Sequence, residues 1–331
     1  MIDIDGSYGE GGGQILRTAI SLASIGSIEV RIFNIRSHRP QPGLKAQHMK
    51  TIETAAKLCD AEVLGLYMGS QEIIYSPMEI KGAAYKVDIG TAGSISLLLQ
   101  CIMPMAAFSK GDISLEITGG TDVKWSPTMD YLNNVTCNAL KQMGFNYRIE
   151  VLKRGYYPEG GGKVCASFEP ARLHGFEYER KEEIIKGISH SSKLPEHISQ
   201  RQALAAKRVL DNRGIECDIT VCTKDEVSTG SGITLWSGYN GASNLGRKGI
   251  PAEKIGEMAA KQMIQQIDSK ASVDPYLADQ LITYMGLVGS GSFTTYMVSQ
   301  HTLTNIHITE LLLDIEFEIR KKGKLAEISV K

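Results

Sequence analysis

A chain of 331 residues, 42% apolar and 22% charged, has the composition of an ordinary globular protein but is long for a single core, so two domains, or one enlarged by repeats and an insertion, are expected. A formal net charge of −1 excludes a generally basic nucleic-acid coat; any nucleic acid would have to be gripped at an end or at a few phosphates. The six cysteines form no Cys-x-x-Cys pair, and no signal-like or membrane-spanning apolar run is present, so the expected setting is reducing and cytoplasmic, without a zinc site or disulfide framework.

Residues 1–6 alternate as a short strand and run into the octet Gly-Ser-Tyr-Gly-Glu-Gly-Gly-Gly at 6–13, followed by an apolar, helix-like stretch from Gln14 to Leu22. The octet pattern recurs at 155–162, where it leads instead into residues 163–168, which read as a strand. Its repetition suggests a duplicated structural unit. Three consecutive glycines let the main chain take left-handed conformations or approach a ligand closely, and a fixed carboxylate ahead of them is suited to a metal. Glu10 and its glycines therefore sit where helix-start amides meet phosphate. The first copy is expected to carry chemistry and the second to form a turn.

Strand-like segments at 29–35, 113–118 and 314–319 alternate with helical patterns at 44–59, 94–108 and 129–143, which makes this an α/β chain. Helices after Gly13, after Thr91-Ala92-Gly93 and near Asp274-Pro275-Tyr276 each follow a glycine- or proline-marked turn and precede a strand, as several copies of one α/β unit would. Between 180 and 270 the texture changes to a charge-rich run at 179–186, a basic helix at 200–212 and an amphipathic helix at 255–269. The expected division is a body of residues 1–180 and 271–331 with residues 181–270 inserted as a smaller domain.

Residues 31–50 hold Arg31, Arg36, Arg39, Lys45 and Lys50, with His38 and His48 and no acidic residue. Such a segment is either a solvated basic loop or a polyphosphate site made of guanidinium forks and helix-start amides; the missing carboxylates favour the second. Residues 241–248 approach a phosphate-binding loop but lack a lysine followed by Ser or Thr and a preceding strand, and read as an exposed loop. His301, in Ser299-Gln300-His301-Thr302, is the candidate nucleophile, since neutral imidazole attacks phosphorus readily and leaves readily. Taken alone, a histidine among Thr and Asn is more often a hydrogen-bonded structural residue. His190 and His197 have neighbours that imitate a hydrolase or metal set but no ligand spacing, so structural roles are expected; His174 and His307 are assigned none.

The segments at 6–17, Arg39-Pro40-Gln41-Pro42-Gly43-Leu44, Gly90-Thr91-Ala92-Gly93-Ser94, Gly119-Gly120-Thr121-Asp122, 155–162, Tyr276-Leu277-Ala278-Asp279-Gln280 and His301-Thr302-Leu303-Thr304-Asn305-Ile306 together resemble the RNA 3′-terminal phosphate cyclase family, in order and over nearly the whole chain. The resemblance implies a large domain of three repeated α/β units, each of paired helices on a four-stranded sheet, and a smaller inserted α/β domain. It implies that His301 is adenylated by ATP, that Glu10 contacts a divalent cation, Mg or Mn, and that Arg17, Arg36, Arg39 and Gln47 surround the phosphates. Gln100, Pro127, Tyr276 and Asp279 would form the nucleotide pocket. The implied partner is RNA ending in a 3′-phosphate, which leaves as a 2′,3′-cyclic phosphate. Residues 123–126, Val-Lys-Trp-Ser, are not fixed by the resemblance, which makes Pro127 a weaker match than His301 or Glu10. Two other readings stay open: a cyclase-like ribosome-biogenesis factor without the nucleophile, against which His301 in its motif argues, and an enolpyruvyl-transferase-like enzyme of similar repeats.

Overall fold

The computed structural model describes residues 1–181 and 183–331; residue 182, in the charge-rich run at 179–186, lies outside the described residues. The first unit runs β1 (Ile2–Asp5), α1 (Gly13–Gly26), β2 (Val30–Phe33), α2 (Ala46–Leu58), β3 (Glu62–Leu64) and β4 (Ile73–Ser76), with sheet order β1-β2-β4-β3. Helix α1 is the crossover that makes β1 and β2 parallel, while β4 pairs antiparallel with both β2 and β3. The second unit repeats this plan with β5 (Ala83–Asp88), α3 (Ile95–Ala107), β6 (Ile113–Gly119), α4 (Met129–Tyr131), α5 (Cys137–Gln142), β7 (Tyr147–Lys153) and β8 (Gly162–Phe168), in the order β5-β6-β8-β7.

There follows β9 (Ile185–Ser192), α6 (His197–Asp211), β10 (Cys217–Lys224), β11 (Gly230–Ser237), β12 (Asn240–Leu245) and α7 (Ala252–Ser269), forming a separate sheet in the order β10-β9-β11-β12. The third unit then completes itself with α8 (Pro275–Val288), β13 (Ser292–Thr295), α9 (Gln300–Leu312), β14 (Phe317–Lys322) and β15 (Leu325–Val330). Its sheet has three strands, β13-β15-β14; in the place of the leading strand stands a single parallel bridge from Glu177 to Ser292. The α/β fold thus holds three repeated units of paired helices on a sheet, the third with its first strand shortened to one bridge.

Helix α1 is apolar on nearly every side, with Ile15, Leu16, Ala19, Ile20, Leu22 and Ala23 buried, because it packs against α2, α3 and α9. Strand β8 alternates buried and half-buried residues along its whole length, as a strand with one covered face must. One hydrophobic cluster runs through all three units, and a second, including Ile185, Leu210, Ile233, Leu235, Ile255 and Met263, lies wholly within residues 185–264.

Four expectations change on this framework. The two glycine octets are not equivalent positions: residues 6–13 join β1 to α1, whereas residues 155–162 lie in the β7–β8 connection. The second unit's counterpart of the first octet is the turn at 89–94 between β5 and α3, so the octets do not mark the repeat that the sheets share. The helix expected at 129–143 contains a π-helical turn at Leu132–Thr136, a widening of the ladder often found beside functional sites. The strand expected at 314–319 begins at Phe317, and its hairpin partner β15, unforeseen, follows a turn at Gly323, whose φ is +65°. Of the exposed loop expected at 241–248, residues 241–245 belong instead to strand β12, paired antiparallel with β11.

Candidate active site

A cavity of about 640 Å³ opens where α1, α3, the 123–128 turn, α8, α9 and the β12 end converge. Its wall holds Arg17, Gln100, Pro127, Tyr276, Asp279 and His301, six of the ten residues singled out in the sequence. Volume and mixed lining are those of a small-molecule site. Helix α3 carries Pro104, which lacks the N–H that would bond the Gln100 carbonyl one turn earlier, so the backbone is interrupted where Gln100 lines the cavity.

His301 stands in the first turn of α9, behind the N-cap Ser299, whose hydroxyl accepts from the Thr302 amide at 3.0 Å. Its backbone carbonyl accepts from Gln14 Nε2 at 2.9 Å, which turns the same amide's Oε1 toward the imidazole Nδ1. With Nδ1 carrying the proton to Gln14 Oε1, the lone pair is at Nε2. Nε2 lies 3.7 Å from Glu10 Oε2. Burial, with the charges of Arg17 and Arg39, lowers the His301 pKa below that of a free imidazole, against the opposing pull of Glu10. The ring is therefore neutral and nucleophilic near pH 7. Gln14 was not foreseen from sequence, since glutamine at a helix start carries no signal of its own.

Glu10 and Arg39 face each other with Oε2 and Nη2 3.6 Å apart, both half-exposed. Gly11 takes a φ of +55°, and a Cβ on Gly13 would fall 2.4 Å from His48 Nε2, so glycine is required at both places for the loop to close onto α1. The N-terminus of α1 has Gly12 as N-cap and no side-chain bond to its amides, unlike α3, α8 and α9, which are capped by Ser94, Asp274 and Ser299. Free helix-start amides beside Arg39 make a place for an anion. The Tyr8 ring stacks on His307 at 3.9 Å, tying the loop to the helix that carries His301.

The remaining expected phosphate residues act at different removes. Arg17 lies in the cavity wall, its pKa lowered to about 10 by burial despite Asp279 nearby. Arg36 spends Nη1 on the carbonyls of Gln41 and Gly43, both at 3.0 Å, and so holds the basic loop in shape. Gln47 accepts from the Ser94 amide at 3.1 Å, which joins α2 to the start of α3. His48 accepts from the Lys45 amide at 3.1 Å and, with its pKa pushed down to about 3 by burial and by Arg17, stays neutral. Asp279 is pushed up to about 8 by burial, so its carboxyl is protonated near neutrality and can donate a hydrogen bond; its backbone carbonyl accepts from Asn305 Nδ2 at 2.6 Å. Asn305 in turn accepts from Thr18 at 2.8 Å, locking α1, α8 and α9 around the cavity.

Two places bear on a metal. Glu10 offers one exposed carboxylate beside the anion site, which fits a hard cation completed by substrate phosphate oxygens and water. Among the described residues, Asp122, Asp130 and His190 also bring ligand atoms together, all buried. There Arg154 Nη1 already pairs with Asp122 Oδ2 at 3.2 Å and Asp130 Oδ2 at 2.9 Å, and the group does not fit a cation that must meet substrate.

The sequence model of the family described as RNA 3′-terminal phosphate cyclase matches residues 8–319. Proteins named RNA 3′-terminal phosphate cyclase from Methanosarcina barkeri and Methanococcoides burtonii are each 54% identical over 330 residues, covering all of both chains. The one from Archaeoglobus fulgidus is 47% identical over 97% of this chain and 99% of its own. With seven ordered motifs, three α/β units and matches of this extent, the chain belongs to the RNA 3′-terminal phosphate cyclase family, a family of enzymes.

Proposed function

We propose that the protein converts an RNA 3′-phosphate to a 2′,3′-cyclic phosphate at the expense of ATP, with His301 as the nucleophile. The observation that carries this reading is His301 Nε2, unprotonated, at the wall of the cavity and beside Glu10, Arg39 and the uncapped α1. Nε2 attacks the α-phosphorus of ATP, the bond to the β-phosphate breaks, and pyrophosphate leaves a phosphoramidate on the histidine. An oxygen of the RNA 3′-phosphate then attacks the same phosphorus, breaking the N–P bond and forming a phosphoanhydride. The adjacent 2′-hydroxyl loses its proton, attacks the 3′-phosphorus and expels AMP, closing the ring. Adenylation is needed because a phosphate monoester dianion has no good leaving group, and ring closure is favoured because both reacting groups sit on one ribose.

Arg39, Arg17 and the α1 amides would hold the phosphates, with Arg36 and Gln47 shaping the loop and helix that present them. Gln100, Pro127, Tyr276 and Asp279 would hold the nucleoside. A divalent cation, Mg or Mn, would be held by Glu10 and would neutralise charge on the triphosphate. Residues 1–180 and 271–331 are read as the catalytic body and 181–270 as the inserted domain. The separate core and sheet support that division, as does the Glu177–Ser292 bridge, which joins the segment before residue 181 to β13 of the third unit. Among the described residues no helix is long and apolar enough to cross a membrane; a cytoplasmic, RNA-processing role belongs to the same proposal.

The test uses ATP labelled at the α-phosphate. Acid-labile, alkali-stable label should appear on the protein and be discharged by oligonucleotides with a 3′-phosphate. Those ending in a 3′-hydroxyl should stay inert, and a 2′-deoxy terminus should accept adenylate without closing a ring. No label on the protein, or closure on a 3′-hydroxyl end, would overturn the proposal.

A further inference from the structure

The most exposed large apolar side chain stands at this cavity: Trp125 keeps 95% of its surface in solvent while lining the cavity's mouth. Its backbone is left-handed, with φ +62°, a conformation that a bulky residue adopts only where the surroundings impose it. The turn around it is fixed at both ends. On one side Asp122 is buried against Arg154 at 3.2 Å and accepts from Thr121 at 2.7 Å; on the other Thr128 is buried with its hydroxyl 2.9 Å from that of Thr234. Ser126 Oγ donates to the Val123 carbonyl at 2.9 Å and closes the turn between them. A rigid base therefore holds an indole out in water, the reverse of what burial of apolar surface would select.

Lys124 precedes the indole, and Arg247, after β12, lies on the same cavity. An exposed aromatic face with cations on the same cavity is the usual platform for a nucleobase with its phosphates. On the proposed order of reaction ATP occupies the cavity first and leaves AMP on His301, so the second substrate must approach from solvent, where Trp125 stands. We propose that Trp125 stacks on the 3′-terminal nucleobase of the RNA, with Lys124 and Arg247 against the neighbouring phosphate, so that the turn and the β12 end set the terminal 3′-phosphate over His301. The inference rests on the cyclase reading above and extends it to the second substrate.

Two variants test it, Trp125→Ala and Trp125→Phe, with enzyme–AMP formation and cyclisation of short 3′-phosphate oligonucleotides measured separately. Trp125→Ala should raise the KM for RNA about tenfold or more, with the ATP dependence of enzyme–AMP formation and the kcat at saturating RNA unchanged, and Trp125→Phe should recover most of the loss. An oligonucleotide with an abasic terminal ribose should erase the difference between wild type and Trp125→Ala, which a merely structural role would not do. In a Trp236→Phe background Trp125 is the sole indole, and its fluorescence should be quenched saturably by a 3′-phosphate oligonucleotide. An unchanged KM for RNA would overturn the proposal. So would a raised ATP requirement for adenylation, which would assign the ring to adenine. If the wild type forms no enzyme–AMP, the cyclase reading fails, and the fluorescence titration decides the platform independently.

Discussion

Histidine, carboxylate and arginine meet twice in this protein, in opposite circumstances. At the cavity, Glu10 lies 3.6 Å from Arg39 and 3.7 Å from His301, and all three are nearly half-exposed. Between β9 and the second unit, Asp122 and Asp130 are held by Arg154 at 3.2 and 2.9 Å, with His190 Nε2 3.4 Å from Asp122 and its Nδ1 2.7 Å from the Tyr156 hydroxyl, all but out of reach of water. The same residue types make a structural joint when desolvated and closely paired, and a reactive site when left slack and wet. Slack would be useful because phosphates could enter between the charges, whereas the buried set is closed off by its own ion pairs, even with Asp122 Oδ1, Asp130 Oδ2 and His190 Nε2 making no hydrogen bond there.

Exchanging the histidine at the open group should have the largest effect. His301→Ala and the stricter His301→Asn are expected to abolish both enzyme–AMP formation and cyclisation while leaving the thermal midpoint nearly unchanged, because the ring is 46% exposed and its loss opens no buried hole. Normal adenylation in either variant would end the nucleophile assignment. At the closed group the effect should fall on stability instead. Asp122→Ala leaves the buried Arg154 guanidinium with Asp130 as its one carboxylate partner and should cost about 1.5–3 kcal/mol in denaturant unfolding, whereas Asp122→Asn, which keeps the hydrogen bond from Thr121, should cost less. An unfolding midpoint unmoved by Asp122→Ala would show that the joint is not rigid.

A smaller effect than that at His301 is expected at Arg39. If Arg39 holds phosphate as proposed, Arg39→Ala should lose a charge-assisted contact worth about 1.5–3 kcal/mol, read as a rise in the ATP requirement of enzyme–AMP formation. Arg39→Lys should restore part of this, since it keeps the charge but not the fork. If Arg39→Ala adenylates at full rate under limiting ATP, the basic segment is a solvated loop after all.

The open group was legible in the sequence and the closed one was not. Glu10 precedes a triple glycine, Arg39 sits in an acid-free segment and His301 lies in a motif, each a signal local to a few residues. Asp122, Arg154 and His190 come from a loop, a strand end and another sheet, and their meeting is decided by how β9 packs against the second unit. Element type was readable where periodicity is strong, as in α1, α3 and β8. It failed at β12, where Asn240-Gly241-Ala242-Ser243-Asn244 has a loop's composition and only its pairing with β11 makes it a strand. The octets misled in another way: one sequence pattern serves a helix start at 6–13 and the β7–β8 connection at 155–162, because triple glycine specifies backbone freedom and not a place in the fold.

The finest distinction between the two groups is titration. His301 has its pKa depressed, chiefly by burial and then by Arg17 and Arg39, so its neutral form persists below the pH at which an ordinary imidazole protonates. On the proposed mechanism the neutral ring is the nucleophile, so the rate of enzyme–AMP formation at saturating ATP should be level near pH 7 and fall as pH drops through a midpoint below 6.5. Gln14→Glu puts a carboxylate where Nδ1–H now meets an amide oxygen, which favours imidazolium and should move that midpoint upward. At pH 8 the variant should adenylate almost as well as wild type, and the gap should widen as pH falls. A variant equally impaired at every pH would mean that Gln14 sets the position of the ring and not its protonation.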